Sequence, residues 1–221
     1  MKTIEITSRA GSAIVTVEEP IEHLQEVWLR GEFFEQRLLE YIYWHYKGGI
    51  FVDVGSALGN HSLFFAKFCE PKLVVSIEPV WRTRGRQKDI YRLNNIQDKI
   101  IILGCALSDV PGIGTMEPFA NRNLGQFRLV AGDDVDVVTL DEIARDFDKE
   151  RITLIKIDTE GHELKILRGA KQMLTERKPA LFLEIRSRSM HQAITEYLAS
   201  FGYQQVGSVF QDATVFEFTV Q

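Results

Sequence analysis

The chain has 221 residues, 45% of them hydrophobic, with 26 basic residues against 31 acidic ones and a formal net charge of -5. It is long enough to bury the core of one α/β domain, and its charge gives no general attraction to nucleic acid or to anionic membranes, so no nucleic-acid partner is expected. No apolar stretch approaches the length of a membrane span, and Cys69 and Cys105 lack CxxC or His-adjacent spacing, which argues against a disulfide framework or structural zinc and for reduced thiols in a cytoplasmic protein.

The opening "MKTIEITSRAGSAIVTVEEP" alternates apolar and polar residues, as a hairpin does and a secretion signal does not. "EHLQEVWLRGEFFEQRLLEYIYWHY" has helical spacing broken at Gly31, which predicts two helices ending before Gly48-Gly49. Residues 1–48 are thus expected to form part of the same domain as the core at 49–221 and to cover a pocket for the substrate. From Ile50 strands at 50–54, 73–78, 100–105, 153–157 and 180–185 alternate with helices near 60–69, 82–94, 163–174 and 190–200. That rhythm is the signature of a parallel sheet wound with helices. Residues 106–138, rich in Gly, Asn and Asp, read as a loop or β insertion over the carboxyl edge of the sheet. The tail "GYQQVGSVF" and "ATVFEFTV", joined at Gln211-Asp212, predicts a closing antiparallel hairpin. Trp28, Trp44 and Trp81 read as packing residues, and the arginines of "WRTRGRQK" as a solvated face or a binding site for a phosphate-bearing substrate. Nothing in the pattern specifies an oligomeric state.

Two stretches carry chemistry. In "IFVDVGSALGNHSLFFA" a strand ends at Asp53 and turns through Gly55 and Gly59 into a helix. The G-x-x-x-G spacing differs from the G-x-G-x-x-G of dinucleotide sites, and Asp53 would repel a pyrophosphate, so a nicotinamide-dependent oxidoreductase is disfavoured. An acid there suits a cationic ligand, and Glu78 at the end of the next strand stands where ribose hydroxyls are held in nucleoside-binding α/β domains. The bland alternative is a tight turn with solvated strand ends.

The second stretch, "IKIDTEGHEL", places Asp158, Glu160, His162 and Glu163 just after a strand. His162 is a candidate general base near neutral pH, Glu160 a group to orient it or the substrate, and Asp158 a carboxylate facing the ligand edge. Glu184, ending "ALFLEI", occupies another strand end on that edge and is a candidate to hold the substrate; paired with Asp158 it suggests a cation, but two carboxylates do not establish a metal site and none is expected. Thr159, Glu160 and Glu163 read equally as caps of the following helix.

Together, "FVDVGSALGNHSLFFA", "VVSIEP", "YRLNNI", "ILGCALSD", "VDVVTLDEI", "LIKIDTEGHELKILRGAKQML" and "KPALFLEIRS" resemble the FkbM-type S-adenosylmethionine-dependent methyltransferases, from about Ile50 to Tyr203. The resemblance implies a class I methyltransferase fold: α/β, a mostly parallel seven-stranded sheet whose last strand is antiparallel, with helices on both faces. It implies S-adenosyl-L-methionine as cofactor and S-adenosyl-L-homocysteine as product. Asp53, Gly55, Gly59, Asn60 and His61 would surround the methionyl part, Glu78 the ribose, and Ala106, Leu107 and Ser108 the adenine, with Ser56, Pro79 and Asp158 among the cofactor contacts. Ala57 departs from the family, which usually carries Asn there. The implied activity is O-methylation, with a carbohydrate or glycan hydroxyl favoured as acceptor. A polyketide, lipid or peptide acceptor, or a cofactor-binding module without turnover, are the alternatives.

Overall fold

The computed structural model describes residues 1–118, 127–147, 150–207 and 214–220. The chain opens with β1 (Lys2–Ser8) and β2 (Gly11–Val17), an antiparallel hairpin, followed by α1 (His23–Leu29) and α2 (Gln36–His45). Then come β3 (Ile50–Val54), α3 (Asn60–Phe68), β4 (Leu73–Ile77), α4 (Trp81–Leu93) and β5 (Ile100–Leu103). Four short strands, β6 (Ala106–Leu107), β7 (Gly112–Pro118), β8 (Phe127–Ala131) and β9 (Val135–Val138), form a separate sheet, so the 106–138 segment is a β insertion. The chain continues through α5 (Leu140–Arg145), β10 (Ile152–Ile157), α6 (Glu163–Arg168), β11 (Ala180–Glu184) and α7 (Arg188–Ala199), and ends in β12 (Tyr203–Gln205) and β13 (Val215–Val220).

The main sheet has seven strands in the order β12-β13-β11-β10-β3-β4-β5. Its central pairs are parallel, and β13 runs antiparallel to both of its neighbours, as the resemblance implied. The expected turn at Gln211-Asp212 lies outside the described residues. Because both faces are covered, the central strands are almost continuously buried, apolar except at such residues as Asp53, Ser76 and Lys156, and alternate residues feed two different cores. Phe51, Leu154 and Phe182 pack with the hairpin, α2 and α3, whereas Val52, Ile155 and Leu183 pack with α5, α6 and α7. The N-terminal elements therefore share a core with the sheet, with Ile6, Val15, Trp28 and Leu39 in the same cluster as Phe64.

The departures from expectation have local causes. The helix predicted over 163–174 ends at Arg168, because Gly169 passes so close to the insertion that a Cβ there would lie 2.2 Å from the Ser108 carbonyl oxygen; a π-helical turn at Met173–Arg177 follows. The unpredicted α5 starts at a capping box, in which Thr139 and Glu142 satisfy each other's backbone N–H groups. Of the three tryptophans only Trp28 is a packing residue; Trp44 and Trp81 are 64% and 70% exposed. Among the described residues, no helix is long and apolar enough to cross a membrane.

One buried acid pins α2 to the outer part of the sheet. Glu217 of β13 accepts hydrogen bonds from the Tyr41 hydroxyl (2.9 Å) and from that of Tyr46. Burial, reinforced by this carboxylate, pushes the Tyr41 hydroxyl up to about 12. Glu217→Ala leaves both hydroxyls without their acceptor and is expected to lower the unfolding free energy by about 2 kcal/mol in urea denaturation.

Candidate functional site

The carboxyl ends of β3, β4 and β10 converge on a crevice of about 730 Å3, counted out to its mouth. Gly55 makes that convergence possible. Its φ of +75° suits the turn, and a Cβ on it would stand 1.9 Å from the Asp158 carbonyl oxygen. Beside it the Asp158 N–H donates to the Val54 carbonyl at 3.1 Å, locking the two strand ends together. Ala57, with φ +45°, occupies the left-handed region that asparagine tolerates better than alanine, a physical reason for the usual family residue.

Glu78 lines the crevice wall at the end of β4. Its two oxygens accept the N–H groups of Ala57 (2.9 Å) and Val80 (2.8 Å), so the carboxyl also holds the Gly55 turn in place. Burial pushes Glu78 up to about 7, against those N–H groups, which favour the charged form. Pro79, Ala106 and Leu107 continue the wall, and the insertion adds an apolar side formed by Met116, Phe127 and Leu129, residues that sequence reasoning did not single out.

Asp158 closes the crevice on the β10 side, and its charge is fixed by a residue the sequence reading overlooked. Lys156 is 1% exposed and donates to Asp158 Oδ2 at 3.1 Å. Burial would lower the Lys156 pKa, but Asp158, Glu35 and Asp53 together raise it above the usual lysine value. Burial likewise opposes the charge of Asp158, and Lys156 outweighs it, holding that carboxyl well below the usual range. The Glu184 carboxyl is hydrogen-bonded to Asp158; burial and this neighbour push it up to about 8. Arg186 and Lys156 oppose that shift, so the two carboxyls titrate as a pair in which Asp158 is the more acidic member.

The four catalytic candidates do not form one cluster. Glu160 and Glu184 both pair with Arg186, Glu184 at 3.0 Å, and so join Asp158. His162 lines the same crevice but directs Nε2 to the Ser108 hydroxyl at 3.0 Å, and Glu160, expected to orient it, is engaged with Arg186 instead. Burial, aided by the Lys165 charge, lowers the His162 pKa and keeps the ring neutral. Glu163, expected to cap the helix, is its first residue and instead accepts from the N–H groups of Thr159 (3.1 Å) and Gly161 (3.0 Å) in the preceding loop.

Several expected cofactor contacts serve the scaffold. Asp53 is fully buried and accepts from the Ser62 N–H (3.0 Å) and hydroxyl (2.6 Å), fixing the first turn of α3. Ser56 is bonded to Ser76 and Gln87, both at 2.8 Å. Gly59 is the left-handed N-cap of α3 and packs against Tyr91. Asn60 accepts from the Trp28 indole (3.0 Å) and the Phe34 N–H (3.1 Å) and donates to the Phe34 carbonyl, so it ties the N-terminal elements to α3. His61 pairs with Glu35 at 2.8 Å, both side chains being under 10% exposed. None of these five lines the crevice, whereas Gly55, Glu78, Pro79, Ala106, Leu107 and Asp158 do. Among the basic residues after Pro79, Arg84 donates to the Glu78 carbonyl (2.8 Å) and to that of Pro79 (2.6 Å), and Arg86 pairs with Glu18 at 3.1 Å, so both serve the fold. Among the described residues no group of three or more His, Cys, Asp or Glu side chains could hold a metal ion.

A model of the methyltransferase FkbM domain matches residues 53–204. The chain belongs to the FkbM methyltransferase family. An FkbM methyltransferase from Methylobacillus flagellatus KT is 25% identical, with a TM-score of 0.57 over 77% of this chain, which spans 43% of that relative's length. An rRNA methylase from Streptococcus thermophilus shares the fold, with 11% identity and a TM-score of 0.50 over 85% of this chain and 96% of its own. No curated protein matches the sequence.

The crevice of this FkbM-family chain fits a cationic nucleoside. Carboxyl groups of Glu78, Asp158 and Glu160 face it, Leu107, Met116 and Ile166 offer flat apolar surface, and the glycine at 55 leaves room for the strand ends to meet. Glu78 also sets a pH dependence. Its folded-state pKa of about 7 lies above the ordinary 4.5, so the folded state holds the proton more tightly than the unfolded state does. That stabilisation is complete below pH 4.5 and is lost as pH rises to about 7. Glu78→Gln removes the titrating group, so the Tm difference between variant and wild type is expected to be more favourable to the variant at pH 8 than at pH 5, by the equivalent of about 1–3 kcal/mol.

Proposed function

We propose that this chain is an S-adenosylmethionine-dependent O-methyltransferase acting on a hydroxyl of a carbohydrate or glycan. The observation that carries the reading is the crevice itself: an apolar slot at the carboxyl edge of a class I sheet, bordered by Glu78 on one side and on the other by Asp158, whose carboxyl Lys156 holds well below the usual range. S-adenosylmethionine supplies a methyl carbon bonded to positively charged sulfur and leaves as S-adenosylhomocysteine. Glu78 retains unused lone pairs after accepting from Ala57 and Val80, which suits it to accept from ribose hydroxyls. Leu107 and Ile166 suit a flat base, and Asp158 places negative charge where a cationic centre is favoured.

Proton handling falls to Asp158. A carboxylate held at low pKa is a weak base towards a free alcohol, but an alcohol oxygen that is acquiring a methyl group becomes a far stronger acid than any carboxylic acid. Asp158 therefore accepts a hydrogen bond from the acceptor hydroxyl first and its proton late, as the C–O bond forms. Alignment and exclusion of water supply the rest of the acceleration, since methyl transfer consumes charge rather than creating it. His162 is neutral and basic, yet its bond to Ser108 turns it towards the β6 end of the crevice.

Calorimetry with S-adenosylhomocysteine and NAD, followed by turnover of a sugar panel with labelled methyl donor, tests the reading. Binding of S-adenosylhomocysteine with none of NAD is expected. Asp158→Asn is expected to lower kcat by about 100-fold or more, and His162→Ala by less than about tenfold. The reverse order would return the base role to His162, and binding of NAD alone would refute the cofactor assignment.

A further inference from the structure

A second cavity, of about 1110 Å3 out to its mouth, lies between the α1–α2 connection and the ends of β11 and β13. It shares no lining residue with the crevice under Gly55. The two spaces meet at the carboxyl pair: Asp158 lines the first, Glu184 lines the second, and the two are hydrogen-bonded to each other. We infer that this second cavity receives the methyl acceptor and that it is built for the ring of a neutral sugar, an assignment that rests on the methyltransferase reading above.

Three features of the lining specify that chemistry. Phe34 is half-buried on the cavity wall, with the His23 ring set edge-on against it at 5.7 Å, so an apolar aromatic surface is available to the C–H face of a sugar. Around it stand Arg30 and Glu32, paired with each other at 3.8 Å, together with Arg37 and the His61-bound Glu35, two charges of each sign. Glu184 adds a carboxyl already engaged by Arg186 at 3.0 Å and by the Thr214 hydroxyl, from which it accepts at 3.3 Å. A balanced set of donors and acceptors satisfies hydroxyl groups of a neutral ligand, whereas a phosphate or a carboxylate would require a net positive wall.

Glu35 gives the cavity a fixed edge. It occupies the left-handed region (φ 53, ψ 40) just ahead of α2, uncommon for a non-glycine residue. There its carboxyl forms the buried pair with His61. Burial alone would raise the Glu35 pKa, but the His61 hydrogen bond and the Lys156 charge outweigh it and keep the carboxyl ionised. Glu35 and Asp158 therefore share the field of one buried cation, which places a hydrogen-bond acceptor for the sugar near the group that takes its proton. A hydroxyl entering past Glu184 arrives at Asp158 without crossing the apolar slot.

The test uses the full chain saturated with S-adenosylhomocysteine and, as probes, methyl α-D-mannopyranoside and methyl α-L-rhamnopyranoside followed by saturation-transfer NMR. Transfer to at least one glycoside is expected, strongest at the protons of the ring face that meets Phe34. Phe34→Ala and the surface-exposed Arg30→Ala should each weaken glycoside binding by about fivefold or more with S-adenosylhomocysteine affinity unchanged, while Leu107→Ala should weaken S-adenosylhomocysteine alone. If the nucleoside binds and neither glycoside does, or if glycoside binding survives both Phe34→Ala and Arg30→Ala, the acceptor assignment is overturned and the cofactor reading stands. If S-adenosylhomocysteine itself fails to bind, both fall.

Discussion

A lysine ammonium buried inside the sheet is the constraint around which the rest of the site is arranged. Lys156 lies in register with Asp53 of β3 on one side and Phe182 of β11 on the other, and strand alternation turns it to the face covered by the N-terminal elements. An isolated ammonium there would carry a desolvation penalty of several kcal/mol. It is tolerated because Asp158, Glu35 and Asp53 all lie within its field, one from each of three different segments. Asp53 lies in the same field: its Oδ2 is satisfied by Ser62, while its buried Oδ1 has no hydrogen-bond partner among the described residues. The cluster is held together by mutual neutralisation, so no member can be removed without exposing the charge of another.

That arrangement divides labour among the carboxyl groups at the edge of the sheet. Asp158 and Glu184 touch, yet one is held charged by Lys156 and the other is shifted upward by burial and by its charged neighbour. Two like groups thereby acquire different states from their surroundings alone. Arg186 ties Glu184 to Glu160 at the rim, His61 ties Glu35 to α3, and backbone N–H groups hold Glu78, so these acids that border the two cavities each have a specific partner. The N-terminal elements contribute through the same logic: Asn60 joins them to α3 and Glu217 joins them to β13 by hydrogen bonds, and Glu35 brings their charge to the cluster.

Much of the fold was legible because it is written in periodicity. The strand-helix alternation from Ile50, the break at Gly31 and the antiparallel tail each follow from local pattern, and β3 was read to the residue. Glu78 and Asp158 were legible as acids at strand ends. What escaped depends on contacts between distant segments. Lys156 reads as one polar residue in an apolar run until its register with Asp53 is known. Asn60 and His61 follow the glycine turn just as ligand-binding residues do, but Phe34 and Glu35, arriving from the α1–α2 connection, claim their polar atoms. The role of His162 depended on which way its ring turns, and Ser108, 54 residues away in sequence, decides that. The α5 helix is different: its Thr139 and Glu142 capping box was present in "VDVVTLDEI" and was a readable signal.

The central claim is electrostatic, that Lys156 keeps Asp158 charged and makes it the more acidic member of its pair with Glu184. Carbon-detected NMR titration of the two side-chain carboxyls, in wild type and in Lys156→Met, measures it directly. The account predicts that wild-type Asp158 stays ionised below the ordinary carboxylate range, that Glu184 titrates above it, shifted towards about 8, and that the methionine variant raises the Asp158 midpoint. Two carboxyls titrating together in the ordinary range, indifferent to the loss of the lysine, would contradict it.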